Sequence, residues 1–283
     1  MGKESRSRRK RAQERQDGGA PARGAPAAAS LPEASPERLL ASHGAEPIAD
    51  LPEPVKKFHL RIVTDILEGH DNSARPIGAL KATQIWHQHH DGFAASRPGA
   101  LNFGGEIKQL ACAAGCNHCC RSPVGVVATE AVLVGHFVAR TFTPRARLEL
   151  EQRMAARRAA LADADPLRAH LLCPLNVDGR CTVYEVRPYN CRVFHSFDAD
   201  ACERHFVAGA RDRGVPIDPV RKQYDRLIAA SASVALAALR FDMRMLDFMP
   251  ALAIALAAGD DRCERLAAGE DLFSGLPTIT LPS

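Results

Sequence analysis

Apolar residues recur at helical spacing through most of the chain after residue 51. The first run starts beside Pro54, where a first helical turn tolerates proline, and continues to Gly69, which is expected to end it. Thr143 and Pro144 are typical of a helix start, because threonine can cap the helix and proline suits its first position. The pattern predicts helices over about residues 54–69, 77–95, 129–138, 144–161, 219–240 and 243–258.

The first fifty residues differ in composition from the rest. Residues 1–15 hold seven Lys or Arg against two Glu, a net charge of +5, so the remainder of this +4 chain sums to −1. Residues 17–46 are rich in Ala, Gly, Pro and Ser with few large apolar side chains, which predicts disorder. We therefore expect a disordered basic and then Ala/Pro/Gly-rich tail over 1–50 and one helical domain over 51–283. Nucleic acid is expected to contact only the tail, and without specificity.

Composition and charge placement indicate a soluble cytoplasmic protein. The chain is 46% hydrophobic and 25% charged, as in ordinary globular proteins. The charged start is followed by no apolar segment of the kind that marks a secretory signal. The apolar stretch over 228–239 is too short to cross a bilayer and runs directly into charged residues, so no membrane span is predicted.

The main chemical feature is a cluster of cysteines. Eight of the nine cysteines fall within the 91 residues from 112 to 202. Thiols this dense bind metal, form disulfides or carry out redox chemistry, and a reducing cytosol disfavours disulfides. The cluster therefore predicts a metal site or a redox site. Its members are Cys112, Cys116, Cys119, Cys120, Cys173, Cys181, Cys191 and Cys202.

A β-hairpin is expected to align two of these thiols. The segment 176–179, Asn-Val-Asp-Gly, suits a type I turn followed by a left-handed glycine. That three-residue loop pairs Cys181 with Leu175 and Cys173 with Val183, so both thiols would project from one face. A two-residue Asp-Gly turn would shift the register and place the two thiols on opposite faces.

Two further expectations concern Cys191 and the charges around the thiols. Pro188 can open a helical turn that holds Cys191, where backbone N–H groups would lower the thiol pKa. A site of four thiolates carries a net charge of about −2. The arginines expected to compensate this charge directly follow or precede a cysteine; they are Arg121, Arg180 and Arg192.

The number of thiols indicates more than one role. Eight thiolates are twice what one tetrahedral zinc or one [4Fe–4S] cluster requires, which predicts two sites or one site with spare thiols. Vicinal Cys119 and Cys120 point in different directions in most backbone conformations, so they suit two metals better than one ion. The predicted fold is a mainly α-helical domain in which an irregular cysteine-rich loop and a short β-hairpin form the metal site.

These motifs resemble the bacterial YkgJ-type cysteine-cluster family. The resemblance rests on Cys-x3-Cys-x2-Cys-Cys and on Cys-Pro-Leu-x3-Gly-x-Cys-x-Val-Tyr-x2-Arg-Pro-x2-Cys-Arg, over about a third of the chain. The family is described as a zinc- or iron-chelating domain with a CxxCxxCC signature, and this chain departs from it by one extra residue in the first gap. The resemblance implies that the eight clustered cysteines are the ligand set. Flagellin lysine N-methylases carry a related arrangement, which keeps an enzymatic interpretation open.

The leading hypothesis is a metal-binding protein that holds iron, as an iron–sulfur cluster, or zinc. The alternatives are a protein-modifying enzyme of the lysine N-methylase kind that uses the cluster and a structural zinc module for protein interaction, so enzyme activity stays open. His87, His90 and Asp91 share a predicted helix face and could form a second metal site, although such residues more often pack. The lesser candidates are His118, which could replace a thiolate, His195 and His205, while Cys263 is expected to be a free thiol.

Overall fold

The computed structural model of this chain describes residues 35–74, 76–95, 107–162, 170–209 and 214–279. Helices dominate these ranges and the strands are only two residues long, so the predicted mainly α-helical class is confirmed. The α-helices are α1 Pro36–His43, α2 Glu53–Asp71, α3 Gly78–Ala95, α4 Ala128–Thr141, α5 Pro144–Ala160, α6 Tyr189–Val193, α7 Ala199–Phe206, α8 Pro219–Ala238, α9 Phe248–Ala257 and α10 Arg262–Ala267.

Two small antiparallel pairs and two 3₁₀ helices complete the described structure. Strand β1 (Gly125–Val126) pairs with β4 (Leu246–Asp247), and β2 (Asn176–Val177) pairs with β3 (Arg180–Cys181). The 3₁₀ helices cover His118–Arg121 and Tyr184–Val186. One strand pair and one 3₁₀ helix therefore carry cysteines.

Order begins earlier than the sequence pattern predicts. Helix α1 lies inside the segment expected to be disordered, and its Leu39 and Leu40 are buried against α2. Those two leucines supply apolar area that the surrounding Ala, Gly and Pro do not, which is enough to repay the ordering of one short helix. The described residues from Pro36 onward form one compact unit. The basic segment 1–15 lies outside the described residues.

The predicted helix start at Thr143 is confirmed, whereas the predicted helix end at Gly69 is wrong. Thr143 accepts a hydrogen bond from the Ala146 N–H at 3.2 Å and Pro144 opens α5, as predicted. Helix α2 runs past Gly69 to Asp71. A Cβ built on Gly69 would lie 1.9 Å from Cδ1 of Ile85, so this glycine permits α2 and α3 to approach closely and does not terminate the helix.

The described helices build two apolar cores. Helices α1, α2, α3 and α8 enclose one core, with Ile62, Ile66 and Ile228 fully buried. Helices α4, α9 and α10 enclose the other, around Val132 and Leu252. Helix α3 contacts α2, α8, α4 and α10, so it joins the two cores. Helix α6 packs on α3 and β1, which sets the position of one cysteine-bearing segment.

Candidate metal centre

The first four cysteines lie on a loop that tightens into a 3₁₀ helix. Cys112 is exposed, and a turn closed by the Cys116 N–H to the Ala113 carbonyl, at 3.0 Å, leads into the helix. Cys119 and Cys120 occupy its middle. Because a 3₁₀ helix has three residues per turn, adjacent side chains diverge by about 120°. The two thiols nevertheless affect each other's pKa directly, and the expectation that they serve two different metals stays a prediction.

The hairpin forms, but the predicted register is wrong. Asn176 pairs with Cys181 and Val177 pairs with Arg180, which leaves Asp178 and Gly179 as a two-residue turn. Their φ angles of 51° and 78° are those of a type I′ turn, whose twist matches the flanking strands better than the predicted type I turn with a bulge. The strand alternation used to align Cys173 with Cys181 therefore does not apply.

The two hairpin thiols are nevertheless neighbours. The Asn176 N–H donates to the Cys173 carbonyl at 2.9 Å, so a turn containing Pro174 redirects the chain before the ladder begins. The Cys173 N–H also donates to the Cys120 carbonyl at 2.8 Å. Burial is the main reason that the pKa of Cys173 rises to about 12, and Cys181 lies close enough to contribute to this rise. A turn and a backbone bond, rather than sheet pairing, bring these thiols together.

Helix α5 holds the irregular segment that leads to Cys173. Arg153 donates to the Pro174 carbonyl at 2.9 Å, and Arg157 donates to the carbonyls of Leu171 and Leu172. The positive charge of Arg157 also lowers the pKa of Cys173. The sequence interpretation missed both arginines, because their helix is separated from Cys173 by a loop and only the tertiary fold joins them.

Cys191 lies at a helix start, as expected, yet its pKa shifts in the opposite direction. Pro188 precedes α6, and its carbonyl accepts the Cys191 N–H at 3.0 Å. Burial raises the pKa of Cys191 well above its ordinary value, and Cys173, Cys181 and Cys120 raise it further. The cost of charging a thiol in an apolar setting, beside three other thiols, exceeds the benefit of a five-residue helix. The predicted lowering of the Cys191 pKa is therefore wrong.

The remaining thiols gather around Ser196. Cys112 donates to the Ser196 carbonyl at 3.8 Å, and the Ser196 hydroxyl lowers the pKa of Cys202. Burial raises the pKa of Cys202 in α7, and the neighbouring Cys112 and Cys116 raise it further. Helix α7 contacts the 3₁₀ helix that holds the vicinal pair. Cys202, the least constrained of the eight in the sequence, is thus placed by tertiary packing.

These neighbour relations divide the cysteines into two groups. The Cys173 group consists of Cys120, Cys173, Cys181 and Cys191. The Cys202 group consists of Cys112, Cys116 and Cys202. Cys119 has neighbours in both groups, namely Cys120 and Cys191 in the first and Cys112 in the second.

The vicinal pair connects the two groups. A hydrogen bond from Cys119 to Cys120 is the largest influence on both thiols. It lowers the pKa of Cys120 to about 6 and raises the pKa of Cys119 above its ordinary range. The side-chain amide of Asn176 donates to the Cys120 sulfur at 3.5 Å and also lowers the Cys120 pKa. Cys119 also has Cys191 as a neighbour, so it lies between the groups.

Positive charge near the thiols comes from partly different arginines than expected. Arg121 lowers the pKa of Cys120 and donates to the His170 carbonyl at 3.1 Å, while Arg192 lowers the pKa of Cys181. Arg180 is exposed on β3. Arg187, which sequence proximity did not single out, lowers the pKa of both Cys120 and Cys181.

The thiols are neighbours without forming a closed coordination sphere. All nine cysteines are free of disulfides. Among the described residues, no three Cys, His, Asp or Glu side chains are arranged so that they could hold a metal ion as they stand. A set of soft sulfur donors is nevertheless the chemistry that zinc and iron–sulfur clusters use.

The histidine candidates have separate partners. His87 lies 3.1 Å from Glu130, His90 lies 3.5 Å from Asp225, and Asp91 pairs with Arg192. The i, i+3, i+4 set on α3 thus does not form one site.

Cys263, expected in a polar segment, is buried in the second core with its sulfur 3.5 Å from Nδ1 of His136. Burial raises the pKa of this thiol and lowers that of His136, so the two do not form an ion pair.

Among the described residues, no helix has the length and apolar character needed to cross a membrane. Comparison with family models, curated proteins and solved structures finds no match for this chain.

Proposed function

We propose that this chain is a metal-binding protein whose clustered cysteines hold iron, as iron–sulfur clusters, or zinc. The observation that supports this most is that thiols from segments up to 90 residues apart become neighbours, four in the Cys173 group and three in the Cys202 group, with Cys119 between them. Four thiolates are the complete ligand set for one tetrahedral zinc or one [4Fe–4S] cluster. The Cys173 group would supply one such set, and the Cys202 group together with Cys119 would supply the other.

The electrostatics of the clustered thiols are consistent with this proposal. Burial and mutual repulsion keep several of the thiols protonated, because four thiolates packed together without a cation would repel one another. A bound cation would reverse that preference, and binding would release protons. Arg121, Arg157 and Arg187 would offset the residual negative charge.

The thiols need not surround an ion before one binds. Metal sites are seldom preformed, and ligand binding supplies the free energy that completes them. The Cys202 group includes the exposed Cys112 on an irregular loop, which can adjust without disturbing a helix. When bound, zinc would supply structural cross-links and an iron–sulfur cluster would supply electron transfer.

Metal analysis of the anaerobically purified full-length chain tests the proposal. We expect iron and acid-labile sulfide, with broad absorption near roughly 400 nm from thiolate-bound clusters. Stoichiometric zinc without that absorption would refute the iron–sulfur version and retain the zinc version. Protein that takes up neither metal, even after reconstitution with iron and sulfide or with zinc, would refute both.

Matched cysteine variants test the division into two groups. Cys181→Ser should remove the metal of the Cys173 group, and Cys116→Ser should remove that of the Cys202 group, each leaving about half of the bound metal. Cys263→Ser is the control, because this thiol lies beside His136 and outside both groups, and it should retain all metal. Complete metal loss in both single variants would show one shared site instead of two.

A further inference from the structure

A second set of metal-binding side chains lies in the interior, outside the cysteine groups. His90 on α3, His195 after α6 and Asp225 on α8 converge there, and each is less than 10% exposed. Nε2 of His90 lies 3.5 Å from one Asp225 oxygen, and Nε2 of His195 lies 3.9 Å from the other. One carboxylate therefore faces two imidazoles.

The other ring nitrogen of His90 is held by a carboxylate. Nδ1 of His90 lies 3.3 Å from the Asp91 carboxylate, which Arg192 holds in turn. Metal-bound histidines are typically held in this way, with Nδ1–H donated to a carboxylate or carbonyl and Nε2 left for the metal. Nε2 of His195 has no hydrogen-bond partner among the described residues.

The atoms between the three side chains are buried and unsatisfied. Nε2 of His195 and Oδ1 of Asp225 are covered, and neither has a hydrogen-bond partner among the described residues. Burial raises the pKa of Asp225 to about 7, against the opposing influence of Arg221, and lowers the pKa of His195 to about 4. The imidazole is thus neutral, as a metal ligand must be, and a bound cation would satisfy the buried carboxylate.

We propose that His90, His195 and Asp225 form a mononuclear site for a divalent first-row metal ion. Two histidines and one carboxylate form the facial set that binds Fe²⁺ and leaves other positions open. Ligand bonds of 2.0–2.2 Å require donor atoms roughly 2.9 to 3.4 Å apart. The three groups do not yet surround one point, because the two imidazole ring centroids lie 6.5 Å apart and must approach each other by about 1 Å or more to share one ion. The site contains no sulfur and stands whether or not the cysteines hold metal.

A Mn²⁺ titration of the full-length chain tests this site, because carboxylate and imidazole donors accept Mn²⁺ more readily than thiols do. The loss of the electron paramagnetic resonance signal of free Mn²⁺ measures binding, and we expect about one equivalent. Asp225→Asn should weaken it at least tenfold. Asp71→Asn is the matched control, since Asp71 also contacts two histidines, His43 and His70, but lies at the surface, and this variant should bind as the unmodified chain does.

Three outcomes would overturn the proposal: no saturable Mn²⁺ binding, equal binding by Asp225→Asn, or loss of binding in Asp71→Asn. If Asp225→Asn does not fold, the imidazole resonances of the unmodified chain decide. Mn²⁺ should broaden those of His90 and His195 at lower concentration than that of His43, and the reverse order would refute the site.

Discussion

Glu130 connects the starts of two helices, so replacing it with glutamine should weaken the fold next to Cys191. The Glu130 side chain is buried and accepts hydrogen bonds from the Val127 N–H at 3.1 Å, the Tyr189 N–H at 2.6 Å and His87 Nε2 at 3.1 Å. Tyr189 opens α6, the helix of Cys191. The carboxylate thus attaches α6 to the start of α4.

The magnitude follows from the two bonds that backbone N–H groups donate to Glu130. A glutamine oxygen can still accept from Tyr189, but the loss of charge reduces that bond by about 1 kcal/mol. The glutamine NH₂ must then face the Val127 N–H, which leaves a buried donor unsatisfied at a cost of about 1 to 3 kcal/mol. We expect Glu130→Gln to lower the free energy of unfolding by about 2 to 4 kcal/mol.

Denaturant unfolding monitored by circular dichroism measures this change. Glu270→Gln is the control, because Glu270 forms an exposed ion pair with Arg265 and its replacement should leave the unfolding midpoint unchanged. A Glu130→Gln midpoint equal to that of the unmodified chain would refute the attachment of α6 through Glu130.

Three further predictions use the same unfolding measurement. Gly135→Ala should destabilise the fold by about 1 to 3 kcal/mol, because its Cβ would lie 3.0 Å from that of Ala255. Gly92→Ala, whose Cβ would have nothing within 4 Å, should stabilise the fold by about 0.5 to 1 kcal/mol. The opposite order of stabilities would refute the packing of α4 on α9. Gly179→Ala should cost about 1 to 2 kcal/mol at its φ of 78°, and an unchanged midpoint would count against the type I′ turn. Burial lowers the pKa of His59, so the unfolded chain takes up its proton first and stability should fall as pH drops below about 6.5; His59→Gln should show a shallower decline, and an equal slope would contradict the assignment.

Helix positions could be predicted well from the sequence because their signals are local. The expected helix over 144–161 is observed at Pro144–Ala160, and that over 77–95 at Gly78–Ala95. Apolar spacing and capping residues act within a few residues of chain, so no distant contact is needed to interpret them. Gly69 shows the limit, since the reason for that glycine is Ile85 on another helix.

The hairpin register could not be settled in this way. The Asn-Val-Asp-Gly segment is compatible with a two-residue and a three-residue loop, and these differ by one residue in pairing. The predicted choice was wrong, yet Cys173 and Cys181 are still neighbours because the Pro174 turn and the bond to the Cys120 carbonyl place them. The expected pKa of Cys191 failed for a related reason: burial is a property of the whole fold.

The sequence by itself determined the helical class and the eight candidate thiols, since both follow from residue type and short-range spacing. Only the tertiary structure decided the rest. It separated the thiols into a set of four and a set of three with Cys119 between them, assigned Arg157 and Arg187 to them, and brought His90, His195 and Asp225 together from three segments. These groupings depend on how helices pack, because side chains far apart in the chain become neighbours only when apolar faces between them are buried.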